Sequence, residues 1–500
     1  MTLNPKWIPI KWPCGPLESA RLNEFNSGDV ELKEMVEAWT QPSALQLLKG
    51  TPVNCVVVDW ASGTVADAQQ QQALKPLIHA GRQLGLSFVG TVSATENLAA
   101  IVTAGREAGL EAVILKRSGN QALDLPFIAQ FPNDHIDWNV TTAIFSATGN
   151  IWPKANLKTM DEGSDGDTAS AGPTGSPWVD SNGWLSLLAR QMVPEKVLWL
   201  DIDPPDSRNI LPAEEYCLAI ADSRVYGGSR WMISLDSKMR AALMKRDPPA
   251  VAAWTRICET LSFFESHAEW EAYEPMGILA VVSDFRGQNA YTSGEVLNLL
   301  NRRQFQFSIM DRTRALPSPN EWLKGILWMD EEAPNSEQQN QLLAFVQQGG
   351  LLIAAKYWGP SGVVPSKEDW LFGYDTYDVS KGRIVVAEEG FSDPYKIARD
   401  AHLLVSRRND FVRIYNPGTT KYFSSIDPAR LKQVVQVLNY STEVANYVTL
   451  WVDTRARSAR LWGPKPETSL PMRDLPANEG TSFDLPPLPV NCAVEIERLA

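Results

Sequence analysis

The first half of the chain alternates short apolar segments with helical segments, and this alternation limits the fold more than any other feature. Each apolar segment is rich in β-branched and aliphatic residues, which favours a buried strand. Strands separated by helices pair in parallel, and eight of them close most naturally into a (β/α)8 barrel, predicted over residues 1–275. The predicted strands are Trp7–Trp12, Val53–Trp60, Ser87–Val92, Ala112–Arg117, Phe127–Phe131, Thr142–Ala147, Val197–Asp203 and Arg230–Leu235.

Two further patterns follow the barrel segment. From Gly277 the chain again alternates strands and helices, and the helix over Ser336–Gln348 ends at two glycines, which is typical of a helix C-terminus. This pattern predicts a small doubly wound, flavodoxin-like domain over residues 276–400. Residues 401–500 show strand-like alternation separated by Pro-rich connections, as in Tyr447–Val452, and predict a C-terminal β-sandwich.

One segment interrupts the barrel pattern. Asn150–Pro177 is rich in Gly, Ser and Asp and is too long for an ordinary connection. Its acidic residues do not fit a calcium-binding loop, because Gly163 and Gly172 stand where that loop needs ligands. We expect a solvated, flexible loop here.

Charge and composition exclude several classes of protein. The chain has 46 Lys and Arg against 59 Asp and Glu, a net charge of −13, and no basic block, which argues against a nucleic-acid partner. It contains no apolar run long enough to span a membrane, and its start lacks the pattern of a secretory leader. We therefore expect a soluble protein, cytoplasmic as the sequence stands, or periplasmic or secreted if a leader has been removed.

The five cysteines and four histidines are scattered, without the spacing of a metal site or a disulfide framework. The sequence predicts neither a metal nor a cofactor.

The stretch from Ser176 to Ser207 carries the strongest chemical signal. Asn182 is a plausible N-cap for a helix that runs to about Met192. The apolar run that follows predicts a buried parallel strand that delivers Asp201 and Asp203 to its carboxyl end. In α/β folds that end of the sheet is where ligands bind.

The chain contains 18 tryptophans, whose rings can stack on the apolar faces of sugars. Trp152, Trp178 and Trp184 flank the long loop and the acidic stretch, so they are predicted to bind substrate. Tryptophans are also ordinary core and interface residues, so Trp39, Trp254, Trp328 and Trp451 are better explained by packing.

The order of barrel, flavodoxin-like domain and β-sandwich resembles that of clan A glycoside hydrolases, specifically the trimeric β-galactosidases. Two late segments, KGRIVVAEEGFSDPYKIARDAHLLVSRRNDFVRIYNPG and YVTLWVDTRARSARLWGP, are similar to segments of uncharacterised bacterial proteins of this group. The resemblance implies a carbohydrate substrate, a middle domain related to class I amidotransferases, and a homo-oligomer, either a trimer or a dimer. In the middle domain, Trp358, Trp370, Phe372 and Tyr374 are the aromatic residues expected to form that contact.

The predicted site departs from the clan A pattern. That clan places a Glu after Asn at the end of the fourth strand and another Glu at the end of the seventh, whereas this chain has Lys116 and Arg117 at the fourth. A glycosidase needs two carboxyl groups, about 5 Å apart for retention or about 6.5 to 9.5 Å apart for inversion. We therefore predict Asp180 and Asp201 as the catalytic pair. The predicted substrate-binding residues, besides the three tryptophans, are Asp59, Asn182 and Asp203.

Each of these residues has a structural alternative. Asp180 and Asn182 could cap the following helix, Asp201 and Asp203 could form salt bridges with Lys116 or Arg117, and Asp59 could make structural hydrogen bonds. The sequence therefore leaves two functions open. One is a glycoside hydrolase that uses Asp carboxylates, and the other is a catalytically degenerate carbohydrate-binding or assembly protein. Residues 277–400 contain no Cys, which argues against glutaminase activity.

Overall fold

In the computed structural model, the chain forms two compact units. The first consists of Met1–Trp152 and Val193–Ala268, and the second of Pro153–Met192 and Glu269–Ala500. The residues that the structure describes are 3–25, 30–94, 96–116, 123–156, 178–207, 209–316, 320–366, 371–405, 409–463, 468–469, 473–474 and 480–499. Most of the predicted Asn150–Pro177 loop lies outside these ranges.

The strands, numbered in chain order, are β1 Pro9–Lys11, β2 Cys55–Ala61, β3 Ser87–Val92, β4 Ala112–Leu115, β5 Phe127–Pro132, β6 Ile144–Thr148, β7 Lys154–Asn156, β8 Trp178–Asp180, β9 Val197–Leu200, β10 Arg230–Trp231, β11 Glu274–Pro275, β12 Leu279–Ser283, β13 Phe307–Asp311, β14 Gly325–Trp328, β15 Leu351–Ala354, β16 Tyr374–Val379, β17 Gly382–Ala387, β18 Val412–Tyr415, β19 Thr420–Ile426, β20 Lys432–Asn439, β21 Thr449–Val452, β22 Ala456–Trp462, β23 Thr468–Ser469, β24 Arg473–Asp474, β25 Thr481–Asp484 and β26 Asn491–Arg498.

The α-helices are α1 Gly15–Phe25, α2 Val30–Thr40, α3 Asp67–Gln83, α4 Leu98–Ala108, α5 Gly183–Met192, α6 Ala213–Val225, α7 Ser237–Met244, α8 Pro248–Ser266, α9 Gly287–Arg302, α10 Ser336–Gln347 and α11 Pro394–Val405. Short 3-10 helices cover Pro42–Leu48 and Ala268–Ala272.

The first unit is a nearly closed barrel of eight parallel strands in the order β1-β2-β3-β4-β5-β6-β9-β10. Its ends meet at a parallel bridge between Ile10 and Ile233. Two hydrogen bonds join them, from the Lys11 amide to the Ile233 carbonyl at 2.8 Å and from the Ile233 amide to the Pro9 carbonyl at 2.9 Å. The barrel prediction is confirmed, and its eight predicted segments supply these strands.

The barrel interior is filled by alternate residues of the strands, because alternate side chains point to the same face. The buried cluster includes Val57, Val89, Ile114, Ile128, Ile144, Trp199 and Met232. Helices α3, α4 and α6 match the helices that the alternation predicts at about Ala66–Leu84, Thr95–Ala108 and Ala213–Val225, whereas α1 and α2, between the first two strands, were not predicted. Among the described residues, those joining β4 to β5 and β5 to β6 contain no helix.

The second unit contains a mostly parallel sheet in the order β13-β12-β14-β15-β17-β16, in which only β16 runs antiparallel to its neighbour. Its core includes Val282, Trp328 and Leu352. Helix α10 begins with a capping box between Asn335 and Gln338 and is followed by Gly349 at φ +111°, a left-handed conformation that favours glycine.

Two antiparallel sheets, β11-β19-β20-β26-β22-β23 and β18-β21-β25-β24, complete the second unit with the β7-β8 pair and α5. The predicted domain boundaries at residues 275 and 400 stay a prediction. Among the described residues, no helix combines the length and the apolar character needed to cross a membrane.

Candidate active site at the barrel mouth

Every barrel strand places a polar residue on its inward side near the carboxyl end. In each strand, the residue two or four positions after the last apolar core residue has its side chain on the same, inward face. We call the resulting set the mouth ring: Lys11, Asp59, Thr91, Lys116, Gln130, Thr148, Asp201 and Ser234. In barrel enzymes this end of the strands carries the active site.

Asp201 follows β9 directly and is held through both carboxylate oxygens. The Lys11 ammonium forms an ion pair with Oδ1, and Gln130 Nε2 donates a hydrogen bond to Oδ2 at 3.0 Å. The Lys11 and Asp201 side chains are only 22% and 19% exposed, so this pair is shielded from water. The ion pair considered in the sequence analysis is therefore present, but its cation is Lys11 rather than Lys116. Arg117 lies outside the described residues.

Asp203 shares the same ammonium. Lys11 Nζ lies 2.8 Å from Asp203 Oδ1, and Ser234 Oγ donates to the same oxygen at 2.8 Å. Burial alone lowers the pKa of Lys11, but the charges of Asp201 and Asp203 outweigh it and raise that pKa. Burial alone would raise the pKa of Asp203, yet the Lys11 charge and the two hydrogen bonds lower it. Both groups are therefore charged at neutral pH.

Asp59 occupies a different environment near the end of β2. Its Oδ1 accepts a hydrogen bond from Thr91 Oγ1 at 2.6 Å, and its side chain is exposed. A β-bulge follows directly, because the pairing with β3 shifts between Asp59 and Ala61. The Asp59 carbonyl is held by the buried Gln70 amide at 2.8 Å. Within the part of the chain that the structure describes, no Lys, Arg or His nitrogen forms a salt bridge with Asp59.

The predicted tryptophans have separate surroundings. Trp152 is 8% exposed, donates from Nε1 to Glu215 at 3.1 Å, and packs edge-on against Trp231 at 5.6 Å. Trp152 thus packs within the first unit, and its predicted substrate role stays a prediction. Trp184 is half-buried on α5. Its ring packs closely over Gly294, because a Cβ atom added at Gly294 would lie 3.4 Å from the nearest ring carbon. The side chain of Trp178 lies outside the described residues.

Asp180 and Asn182 belong to the second unit. Asp180 ends β8, is buried, and lies 3.0 Å from Arg302 Nη2. Asn182 immediately precedes α5, and its carbonyl accepts from the Ser186 amide at 3.2 Å, so the helix begins where the sequence predicted. The structure thus brings Asp59, Asp201 and Asp203 together at one barrel mouth and places Asp180, Asn182 and Trp184 in the other unit.

Sequence reasoning missed Lys11, Thr91, Gln130 and Ser234, which hold the three carboxylates. The signal was present, because each is the first polar residue to continue the inward alternation of its strand. In the described part of the chain, no group of three His, Cys, Asp or Glu side chains is arranged to hold a metal ion.

No protein-family model matches the sequence, and no curated protein sequence matches it. Among solved structures, the chain is similar to alpha-L-fucosidase isoenzyme 2 from Paenibacillus thiaminolyticus. The two share 10% identity and a TM-score of 0.59, over 99% of this chain and 100% of that one. At this identity the likeness shows the fold alone.

Two weaker likenesses carry no argument of their own. One is to the exo-beta-1,4-mannosidase Op5Man5 from Opitutaceae bacterium strain TAV5, at 11% identity and a TM-score of 0.46, over 80% of this chain and 96% of that one. The other is to the beta-galactosidase from Bacillus circulans sp. alkalophilus, at 9% identity and a TM-score of 0.34, over 87% and 68%. The structural neighbours are thus glycoside hydrolases.

Proposed function

We propose that the protein is a glycoside hydrolase that acts on an oligosaccharide or polysaccharide at the barrel mouth. The observation that carries this proposal is the unlike environment of two carboxylates at one end of the barrel. Asp201 is bound by an ammonium and an amide, whereas Asp59 is bound by a single hydroxyl. Glycoside hydrolysis uses two carboxyl groups in different roles, one as the proton donor and the other as the nucleophile or base.

In this proposal Asp201 is the ionised group. The Asp201 carboxylate, paired with the Lys11 ammonium, acts either as the nucleophile at the anomeric carbon or as the base that takes a proton from the attacking water. Asp59 is the proton donor to the glycosidic oxygen. Thr91 bonds to Oδ1 of Asp59, which leaves Oδ2 for the proton that is transferred.

The neutral members of the mouth ring suit a carbohydrate substrate. Thr148 and Gln130 carry hydroxyl and amide groups of the kind that bind sugar hydroxyls. The predicted substrate roles of Trp178, Trp184 and Asn182, and the catalytic role of Asp180, stay predictions that the variants described below address.

We further propose that the second unit combines a flavodoxin-like, amidotransferase-like domain with a β-sandwich. The support is the strand order of its parallel sheet, in which β12 lies between β13 and β14, and the presence of two antiparallel sheets. The proposed self-association rests on fewer aromatic residues than predicted. Phe372 is 94% exposed, Tyr374 is 5% exposed, and Trp370 lies outside the described residues. Sedimentation of wild type and Phe372→Glu, with only monomer found in both, would remove this proposal.

The function is tested by screening aryl glycosides and plant and bacterial polysaccharides with wild type, Asp201→Asn and Asp59→Asn. Glu195→Gln is the matched control, because Glu195 is an exposed carboxylate just before the opposite end of β9. We expect turnover by wild type and the control and its loss in both mouth variants. Full activity in either mouth variant eliminates that residue from the chemistry.

A catalytically degenerate carbohydrate-binding protein is the second candidate. The observation that favours it is Lys116, which occupies the mouth position of β4 and is exposed there. Calorimetry with the same saccharides separates the two candidates. A degenerate binding protein should bind a sugar at the mouth without turnover of any substrate in the screen.

A further inference from the structure

We propose that Lys11 is a positioning residue that orients the Asp201 carboxylate and is itself held in place by Asp203. This inference rests on the proposed function of the barrel mouth. It assigns Asp203 a role through Lys11, whereas the sequence predicted that Asp203 binds substrate.

The position of Lys11 in the barrel supports this role. Lys11 ends β1, and the bridge between Ile10 and Ile233 places the last barrel strand beside it. The Lys11 side chain therefore crosses the end of the neighbouring strand to reach the acidic end of β9. A lysine stem is long enough for this span, and its ammonium offers three donors.

The donors around Asp201 fix the plane of its carboxylate. Lys11 approaches Oδ1 from β1, and Gln130 approaches Oδ2 from β5, two strands away from β9 in the opposite direction. A carboxylate with a separate donor on each oxygen cannot rotate about its terminal bond without breaking one of the two contacts. Of these two donors to the Asp201 carboxylate, only Gln130 remains when Lys11 is removed.

Asp203 and Ser234 complete the arrangement from the other side of the ammonium. Ser234 donates to Asp203, Asp203 accepts from Lys11, and Lys11 pairs with Asp201. The Asp203 side chain is 71% exposed, so a purely stabilising salt bridge at this position would contribute little. Asp203 instead limits the positions available to the Lys11 ammonium.

The alternative is that Lys11 only ties β1 to the end of β9. In that case its removal lowers stability, and the remaining folded protein keeps its kcat. If Lys11 positions Asp201, its removal should instead lower kcat by a larger factor than it lowers the amount of folded protein.

The test compares Lys11→Met, Lys11→Arg and the control Lys196→Met, which removes a lysine just before the opposite end of β9. On the best substrate from the screen, we expect kcat of Lys11→Met to fall about 100-fold with KM little changed. Lys11→Arg keeps the charge and should restore most of kcat, and Lys196→Met should match wild type. Unchanged kcat in folded Lys11→Met overturns the inference while the proposed function stands.

Crystal structures of wild type and Lys11→Met test the positioning without any turnover. We expect the Asp201 carboxylate of Lys11→Met to turn about its terminal bond, so that its plane differs from that of wild type while one oxygen keeps the hydrogen bond from Gln130 Nε2, 3.0 Å long in wild type. An Asp201 carboxylate in the same orientation in both structures overturns the inference, even if no substrate is found. Failure of the screen alone overturns the proposed function, so the two failures are distinct.

Discussion

Arg302 Nη2 lies 3.0 Å from Asp180 Oδ1 inside the second unit, where the two side chains are only 15% and 7% exposed. Burial lowers the pKa of Arg302, and the Asp180 charge acts in the opposite direction and favours the charged guanidinium. The Arg302 Nε also donates to Asn298 at 3.1 Å, which fixes the guanidinium on α9. Asp180 is thus the counterion of a buried arginine.

The first prediction concerns this buried pair. Asp180→Ala removes the carboxylate that pairs with the largely buried Arg302 guanidinium, so it should lower the free energy of unfolding by about 3 to 5 kcal/mol. The double variant Asp180→Leu with Arg302→Met removes both charges and should recover most of that loss. Urea unfolding of the three proteins measures both effects. A stable Asp180→Ala that has lost turnover would instead support the predicted catalytic role.

The second prediction separates chemistry from stability at Asp201. In Asp201→Asn the Lys11 ammonium keeps its contact with Asp203, so no cation is left unpaired and the stability loss should be about 1 kcal/mol. Turnover should fall by about 100-fold or more, because the amide can neither attack nor accept a proton. Melting temperature and kcat, measured on the same sample, check both parts. A loss of several kcal/mol with activity retained in the folded fraction would contradict this assignment.

The third prediction is a pH dependence at Asp203. Its pKa is lowered in the folded protein, so its contribution to stability is fully present above the unfolded pKa of about 3.9 and is lost as the pH falls through the folded value. Because Asp203 is exposed, its contribution is small, so Asp203→Asn should unfold at slightly lower urea than wild type at pH 7, and the difference should shrink below about pH 4. The exposed Glu195→Gln serves as the control. A difference that stays constant from pH 7 to pH 3.5 argues against the Lys11 contact.

The fourth prediction uses two buried serines with opposite surroundings. Ser146 Oγ is fully buried and has no hydrogen-bond partner among the described residues, so Ser146→Ala should raise the free energy of unfolding by about 1 kcal/mol. Ser283 is equally buried, but it donates to Asp330 at 2.5 Å and accepts from the Phe285 amide at 3.1 Å. Ser283→Ala should cost about 1 to 3 kcal/mol. Equal effects of the two substitutions on urea unfolding would refute the comparison.

Local patterns account for the parts of the fold that the sequence predicts. Apolar runs such as Val53–Trp60 mark barrel strands because a strand buried on both faces leaves a continuous signal. Helices α1 and α2 were not predicted because their many polar residues weaken the apolar periodicity. In α2, for example, only Met35, Val36 and Trp39 are buried.

The candidate site was harder to predict because its contacts join distant parts of the chain. The sequence analysis named Lys116 or Arg117, at the end of the fourth strand, as the cations that could pair with Asp201, but barrel closure brings Lys11 beside it. Each strand could be predicted from its own apolar residues, whereas the contact between the first and last strands depends on how the whole sheet closes. Asp180 was assigned to the barrel because it precedes β9 in sequence, yet its strand β8 pairs with β7 in the second unit.

The bridge between Ile10 and Ile233 also constrains how the protein is made. The two residues are separated by more than 200 positions, so the barrel cannot close until its last strand has left the ribosome. At ordinary rates of synthesis this takes on the order of 10 to 40 s. During that time β1 has an unpaired edge, which is a site for wrong pairing with another nascent chain. Translation speed and chaperone supply should therefore affect the yield of folded protein more strongly than they do for a helical protein of equal length.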